Sequence, residues 1–152
     1  MNRARRVVLA VVACVAAVYG IAAADLWLRA RTAYQEGEKY LLWDQRPELK
    51  AAHLDKLLAE DSARLRQDFA SGRLPRGMLE ERLALARFGR DEAMKESAVK
   101  FAYVWFKTAA ELFSPPENRW TRLARGRMPV ARNLWKKELE LQKIPYQDYM
   151  LE

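Results

Sequence analysis

Apolar residues along this chain fall into two regimes. Residues 7–24 (VVLAVVACVAAVYGIAAA) contain no charge, and after Asp25 the apolar character resumes at Leu26, Trp27 and Leu28. Beyond that point apolar positions recur at three- and four-residue spacing, without period-two alternation, which predicts helices and no strands. As a helix the first run is roughly 27 Å long, close to a ~30 Å hydrocarbon core. Tyr19 and Trp27 stand toward the end of the run, where amphipathic rings settle at a membrane surface. The pattern predicts a spanning helix over 7–28 that continues into water toward Trp43.

Pro47 interrupts that helix and suits the first turn of a new one, running from Glu48 to about Ala70 with Leu54, Leu57, Leu58, Leu65 and Phe69 on its apolar face. Gly72, Pro75 and Gly77 mark a turn. A shorter third helix is expected over 78–88, with Leu79, Leu83 and Ala86 on one side and Gly89 as its stop. Asp91 then caps a fourth helix reaching Phe113, which carries the most apolar patch outside the anchor, residues 101–106. Its apolar positions lie on two faces, as in a helix central to a bundle. Residues 114–118 (SPPEN) form a firm break with Asn118 as a cap. Short helices over 119–125 and 129–143 follow, and Pro145 introduces an extended tail whose Tyr146, Tyr149, Met150 and Leu151 are apolar enough to dock on something.

The N-terminal segment has rival readings. A basic start, an apolar stretch and Ala22-Ala23-Ala24 before Asp25 also describe a cleavable signal peptide, but the apolar run exceeds the ~7–15 residues usual for one. Val11-Val12-Ala13-Cys14 resembles a lipoprotein processing box; the residues after Cys14 are apolar where a polar tether belongs. The retained anchor is the reading favoured by length. Arg3, Arg5 and Arg6 ahead of it favour a cytoplasmic or matrix-side N-terminus. Ala13, Ala16, Ala17, Gly20 and Ala24 recur at helical spacing, a small-residue face that another membrane helix could approach closely.

With 152 residues the chain has room for one extramembrane domain. Its charge is +7, unevenly placed: Arg119, Arg122, Arg125, Arg127, Arg132, Lys136 and Lys137 stand against Glu117 alone, and an acidic stretch follows. The single cysteine, Cys14, lies in the apolar run, so no intrachain disulfide supports the fold. One histidine, His53, and that cysteine do not compose an ordinary metal or haem site, and no serine sits in a glycine elbow. Paired carboxylates (Glu60-Asp61, Glu80-Glu81, Asp91-Glu92) lie beside cations in a solvated helical pattern. Tyr34-Gln35-Glu36-Gly37 faintly resembles a helical-repeat motif without a second copy at any fixed period.

Arginine interleaved with Trp120 and Trp135 is a mixture used for nucleic acid, for anionic lipid headgroups and for acidic protein surfaces. An anchored domain outside the cytoplasm favours the last two, so nucleic acid is not expected as a partner. The whole reads as all-α: one N-terminal transmembrane helix followed by a small irregular helical bundle of about four to five helices. The expected organisation is a basic tail over 1–6, an anchor over 7–28, a helical extramembrane domain over 29–143 and an extended tail over 144–152. The expected role is a non-catalytic single-pass accessory, scaffolding or assembly subunit of a larger energy-transducing inner-membrane complex, bacterial or mitochondrial, with its main domain periplasmic or in the intermembrane space. No cofactor or small-molecule substrate is expected. The partners are other membrane-protein subunits, with anionic lipid headgroups beside them. Contact is expected through Phe101, Trp105, Phe106, Arg119, Trp120, Arg122, Arg125, Arg127, Arg132, Trp135, Tyr146, Tyr149 and Leu151. The alternative is an exported soluble helical binding protein or chaperone released by cleavage after Ala24.

Overall fold

The computed structural model describes residues 3–151, and among them every regular element is helical. Five α-helices follow one another: α1 (Arg3–Gln45), α2 (Pro47–Ala70), α3 (Arg76–Lys95), α4 (Ala98–Lys107) and α5 (Arg119–Leu141). A π-helical turn (Thr108–Leu112) extends α4, and a 3-10 turn (Asp148–Leu151) closes the chain. The all-α class and the long apolar N-terminal helix are as the pattern predicts. Among the described residues one helix, α1, is long and apolar enough to cross a membrane.

Three boundaries differ from the sequence reading. Gly89 and Asp91 lie inside α3, which stops only where Glu96 turns extended (φ −63°, ψ 139°). Glycine costs a helix interior ~1 kcal/mol, and packing along α2 offsets that. Pro129 lies inside α5, so the separate helices expected over 119–125 and 129–143 are one. An interior proline costs ~3 kcal/mol through its missing N–H and ring clash; buried Ala124 and Ala131 on either side hold the helix course. The tail expected to be extended forms the 3-10 turn, with Leu151 buried.

The chain makes two compact units. The first joins α1 up to Tyr40 with everything from Val99 onward; the second is Leu41–Ala98. The first has a small-residue core. Ala30 and Ala33 of α1, Ala102 and Ala109 of α4 and its π-turn, and Thr121, Ala124 and Ala131 of α5 are all fully buried or nearly so. Small side chains let helix backbones approach closely, and Phe106, fully buried, fills what remains. The closest approach is at Gly37, where an added Cβ would stand 2.6 Å from the Phe106 ring.

The second unit is built on an antiparallel pair, α2 and α3, turned at Gly72, whose φ of 75° suits glycine alone among common residues. Leu74 and Leu83 are its buried apolar anchors beyond Leu41 and Trp43. Lys50, nearly fully buried, reaches from α2 to the end of α3 and donates to the carbonyls of Met94 (3.1 Å) and Glu96 (2.7 Å). A cation there satisfies carbonyls that the helix end leaves open and opposes the negative end of its dipole. Arg90 adds a cross-helix pair with Asp55 at 2.8 Å.

Two substitutions of the same kind should therefore act in opposite directions. Gly37→Ala pushes a methyl into a ring that has nowhere to go and should cost ~1–3 kcal/mol. Gly89→Ala, where an added Cβ meets nothing within 4 Å, should stabilise by up to ~1 kcal/mol. Thermal unfolding followed by circular dichroism in mild detergent reads both; equal shifts for the two variants would contradict the close approach at Gly37. Lys50→Met keeps the apolar stem and removes the donor. It should destabilise the α2–α3 pair by ~1–3 kcal/mol, seen as faster amide exchange at residues 91–96 with the first unit unchanged.

Candidate functional site

The break at residues 114–118 decides where the most concentrated aromatic cluster lies. Asn118 caps α5: its side chain accepts from the backbone N–H of Trp120 (2.9 Å) and of Thr121 (3.2 Å), while the Thr121 hydroxyl accepts from the Asn118 N–H at 3.0 Å. The cap at Asn118 is the one its sequence position predicts; the return bond from Thr121 closes it as a reciprocal box and fixes Trp120 in the first turn, facing α1.

On α1, Trp27 and Tyr34 are two turns apart and share a face. Both meet Trp120: Trp27 edge-on at 6.2 Å between centroids, Tyr34 tilted at 5.6 Å. Tyr34 also touches Phe106 at 5.7 Å. The guanidinium groups of Arg31 (5.8 Å) and Arg119 (5.5 Å) lie over the Trp120 ring. One turn further, Glu38 of α1 accepts from Arg127 of α5 at 2.8 Å. Burial, with a hydrogen bond to Glu38, raises the Tyr34 hydroxyl above its ordinary pKa. Hydrogen bonding to Tyr34 and the charge of Glu38 hold Arg127 still more firmly protonated than usual. The Trp120 indole N–H is buried without a hydrogen-bond partner among the described residues.

The residues expected at a contact surface thus separate. Phe106 and Leu151 are interior, so their apolar surface is already used inside their own unit. Phe101 is half-buried and stacks on Tyr40 at 5.4 Å, and Trp105 lines a groove with Leu28, Arg29, Thr32, Ala33 and Phe113. Arg125 pairs with Glu117 at 2.7 Å, Arg127 with Glu38, and Arg132 donates to the Asp148 carbonyl at 3.0 Å. Trp135 packs near Tyr103 at 5.9 Å, and Tyr146 donates to Glu140 at 2.8 Å. Arg119, Arg122 and Tyr149 face outward. The small residues Ala13, Ala16, Ala17, Gly20 and Ala24 are exposed along the apolar part of α1, and an added Cβ at Gly20 meets nothing.

The C-terminal turn is tied to α5 by charge. Lys136 bonds the Asp148 carboxylate at 2.5 Å. Leu151 and Met150 close one side of an open groove of about 250 Å³ whose other walls include Tyr103, Val104, Leu112 and Trp135. Among the described residues no group of His, Cys, Asp and Glu is arranged to hold a metal ion. His53 is exposed, its ring 5.1 Å from that of Trp43, and Cys14 is exposed on the apolar half of α1.

Arg31, Tyr34 and Gly37 were absent from the expected site, and Trp27 entered it only as an interfacial ring. The available signal was Ala30, Ala33 and Gly37 at i, i+3 and i+7, a close-packing stripe continuing past the membrane run. No protein-family model, no curated protein and no solved structure matches this chain.

The Asp148–Lys136 pair gives the tail a signed pH dependence. Hydrogen bonding to Lys136, aided by its charge, holds the Asp148 carboxyl below its ordinary value. A depressed carboxylate contributes stability that is present above its unfolded-state pKa of ~4 and is lost as pH falls through the lower folded value. Protease protection of the C-terminal segment should therefore hold from pH 7 to about 4 and fall below that. Asp148→Asn should weaken protection at neutral pH and flatten the acid dependence; an unaltered profile in that variant would remove the pair from the account.

Proposed function

We propose that the chain is a non-catalytic, single-pass accessory, scaffolding or assembly subunit of a larger inner-membrane complex of the energy-transducing kind. The observation that carries this reading is the continuity of α1. The exposed apolar residues of its first half and the buried Ala30, Ala33 and Gly37 of its second half belong to one unbroken helix. Such a helix couples a span to a folded unit without a flexible tether. An apolar surface of that length exposed in the monomer calls for lipid or another helix to cover it. The small-residue face from Ala13 to Ala24 supports a neighbouring membrane helix, and outward Arg119 and Arg122 support anionic partners beside it. The three N-terminal arginines of the sequence support a cytoplasmic or matrix-side N-terminus, with the chain beyond the span on the opposite side.

A second reading has one observation in its favour. The contacts of α1 with the first unit's core come from Trp27, Ala30, Ala33, Tyr34 and Gly37, all beyond Ala24. Cleavage after Ala24 would leave that core whole and release a soluble helical binding protein. Purification of the native protein in mild detergent, with intact-mass determination, separates the two. The expected result is a chain that includes residues 1–24 and co-migrates with other membrane subunits. A mass beginning at Asp25, in the soluble fraction and without partners, would overturn the subunit reading.

A further inference from the structure

The segment leading out of the π-helical turn is apolar; Leu112 begins it at the edge of the groove under the C-terminal turn, and Phe113, Pro115 and Pro116 carry it alongside α1. Leu112 is 72% exposed, Phe113 borders the groove that also holds Leu28 and Trp105, and Ser114, Pro115 and Pro116 complete the loop. Pro115 and Pro116 face Tyr19, Ala22, Ala23 and Leu26 of α1 across a shallow groove of about 210 Å³. Those four residues bracket the end of the charge-free run. At a rise of ~1.5 Å per residue, Tyr19 lies ~8 Å to the hydrocarbon side of Ala24 and Leu26 ~3 Å beyond it. A headgroup layer is only ~5–8 Å thick on each side of the bilayer. A loop alongside both residues therefore stands at the margin between hydrocarbon and headgroups.

Irregular backbone at that depth is costly because its polar groups lack water partners. This loop carries two consecutive prolines, which have no N–H to satisfy. Its following acid, Glu117, is paired with Arg125 at 2.7 Å. Exposed Arg119 and Arg122 and the Trp27–Trp120 pair come directly behind, the residue types that bind phosphate and settle at the interface.

We propose that residues 112–116 are a second membrane contact, immersed in the interface of the bilayer that α1 crosses, with Arg119 and Arg122 against the phosphates of anionic headgroups. The proposal rests on α1 being a retained span. The occupant is lipid, because the loop's level is set by the anchor itself.

The test uses the full chain in a Cys14→Ala background with single cysteines at Val15→Cys, Leu112→Cys or Leu141→Cys, each carrying an environment-sensitive fluorophore. The protein is reconstituted into phosphatidylcholine–phosphatidylglycerol vesicles containing nitroxide-labelled lipid. Leu141, 85% exposed at the far end of α5, is the aqueous control. The expected result is quenching by nitroxide at positions 15 and 112 several-fold above that at 141, with only 141 open to aqueous iodide. Arg119→Gln with Arg122→Gln should reduce the quenching at 112 and leave that at 15 unchanged. Iodide access at 112 equal to that at 141, with 15 still quenched by lipid, overturns the tip while leaving the span. Shielding of 112 from both quenchers assigns the surface to protein and overturns it as well. Absence of lipid quenching at 15 removes the span, and the tip with it.

Discussion

The Phe106 ring occupies the space in which a side chain at position 37 would begin, so α1 and α4 meet ring against backbone. That approach depends on glycine at one position and on alanines at 30 and 33, and the rest of the first unit is arranged around it. With α4 drawn in this far, Tyr34 lies between Phe106 and Trp120 and touches both rings. Trp120 in turn holds the first turn of α5 against α1, and the Asn118 box fixes where that turn starts. The Glu38–Arg127 pair lies further along the same two helices. A larger residue at 37 would therefore disturb one contact and, through Tyr34, the seating of α5. The same helix continues into the apolar run, so the orientation of that run's faces is tied to the packing of this core.

Electrostatics narrows the surface a partner would meet. Counted along the sequence, the segment after Pro116 is a basic block. In the fold Arg125, Arg127 and Lys136 each face a carboxylate of their own unit, and Arg132 bonds a backbone carbonyl. Exposed ion pairs contribute only ~0–1 kcal/mol each to stability, but they neutralise the field over their own part of α5. The outward cations at its start are Arg119 and Arg122, next to Trp120 and on the same unit as the apolar loop. At the start of α5 the basic count thus narrows to two cations beside Trp120.

The all-helical class, the long apolar α1, the start of α2 at Pro47 and the Asn118 cap were legible in the sequence because each rests on local chemistry: spacing, a fixed φ or a side-chain acceptor near open N–H groups. The course of α3 through Gly89 and of α5 through Pro129 was not, because a local penalty of a few kcal/mol competes there with packing that only the folded chain supplies. Burial was partly legible for a related reason. Periodicity shows that Phe106 and Leu151 are apolar and face something; it does not show whether that is the chain itself or a partner. Tyr34 to Gly37 looked like a fragment of a repeat motif. Their work is a single close helix crossing, for which one copy suffices.

The two units differ in what fills their centres. Two helices share one interface, so α2 and α3 can bury one stripe each, and Leu57, Leu85 and Phe88 remain exposed. Their pairing leans on Leu74, Leu83 and the buried amine of Lys50 rather than on a central ring such as Phe106. The first unit has three helices, a filled centre and a tail that closes one side. Stability within a chain follows buried contacts, and in the first unit those contacts centre on the fully buried Phe106. The surface held most directly by α1 is accordingly the one around Trp120, where two rings of α1 meet the first turn of α5.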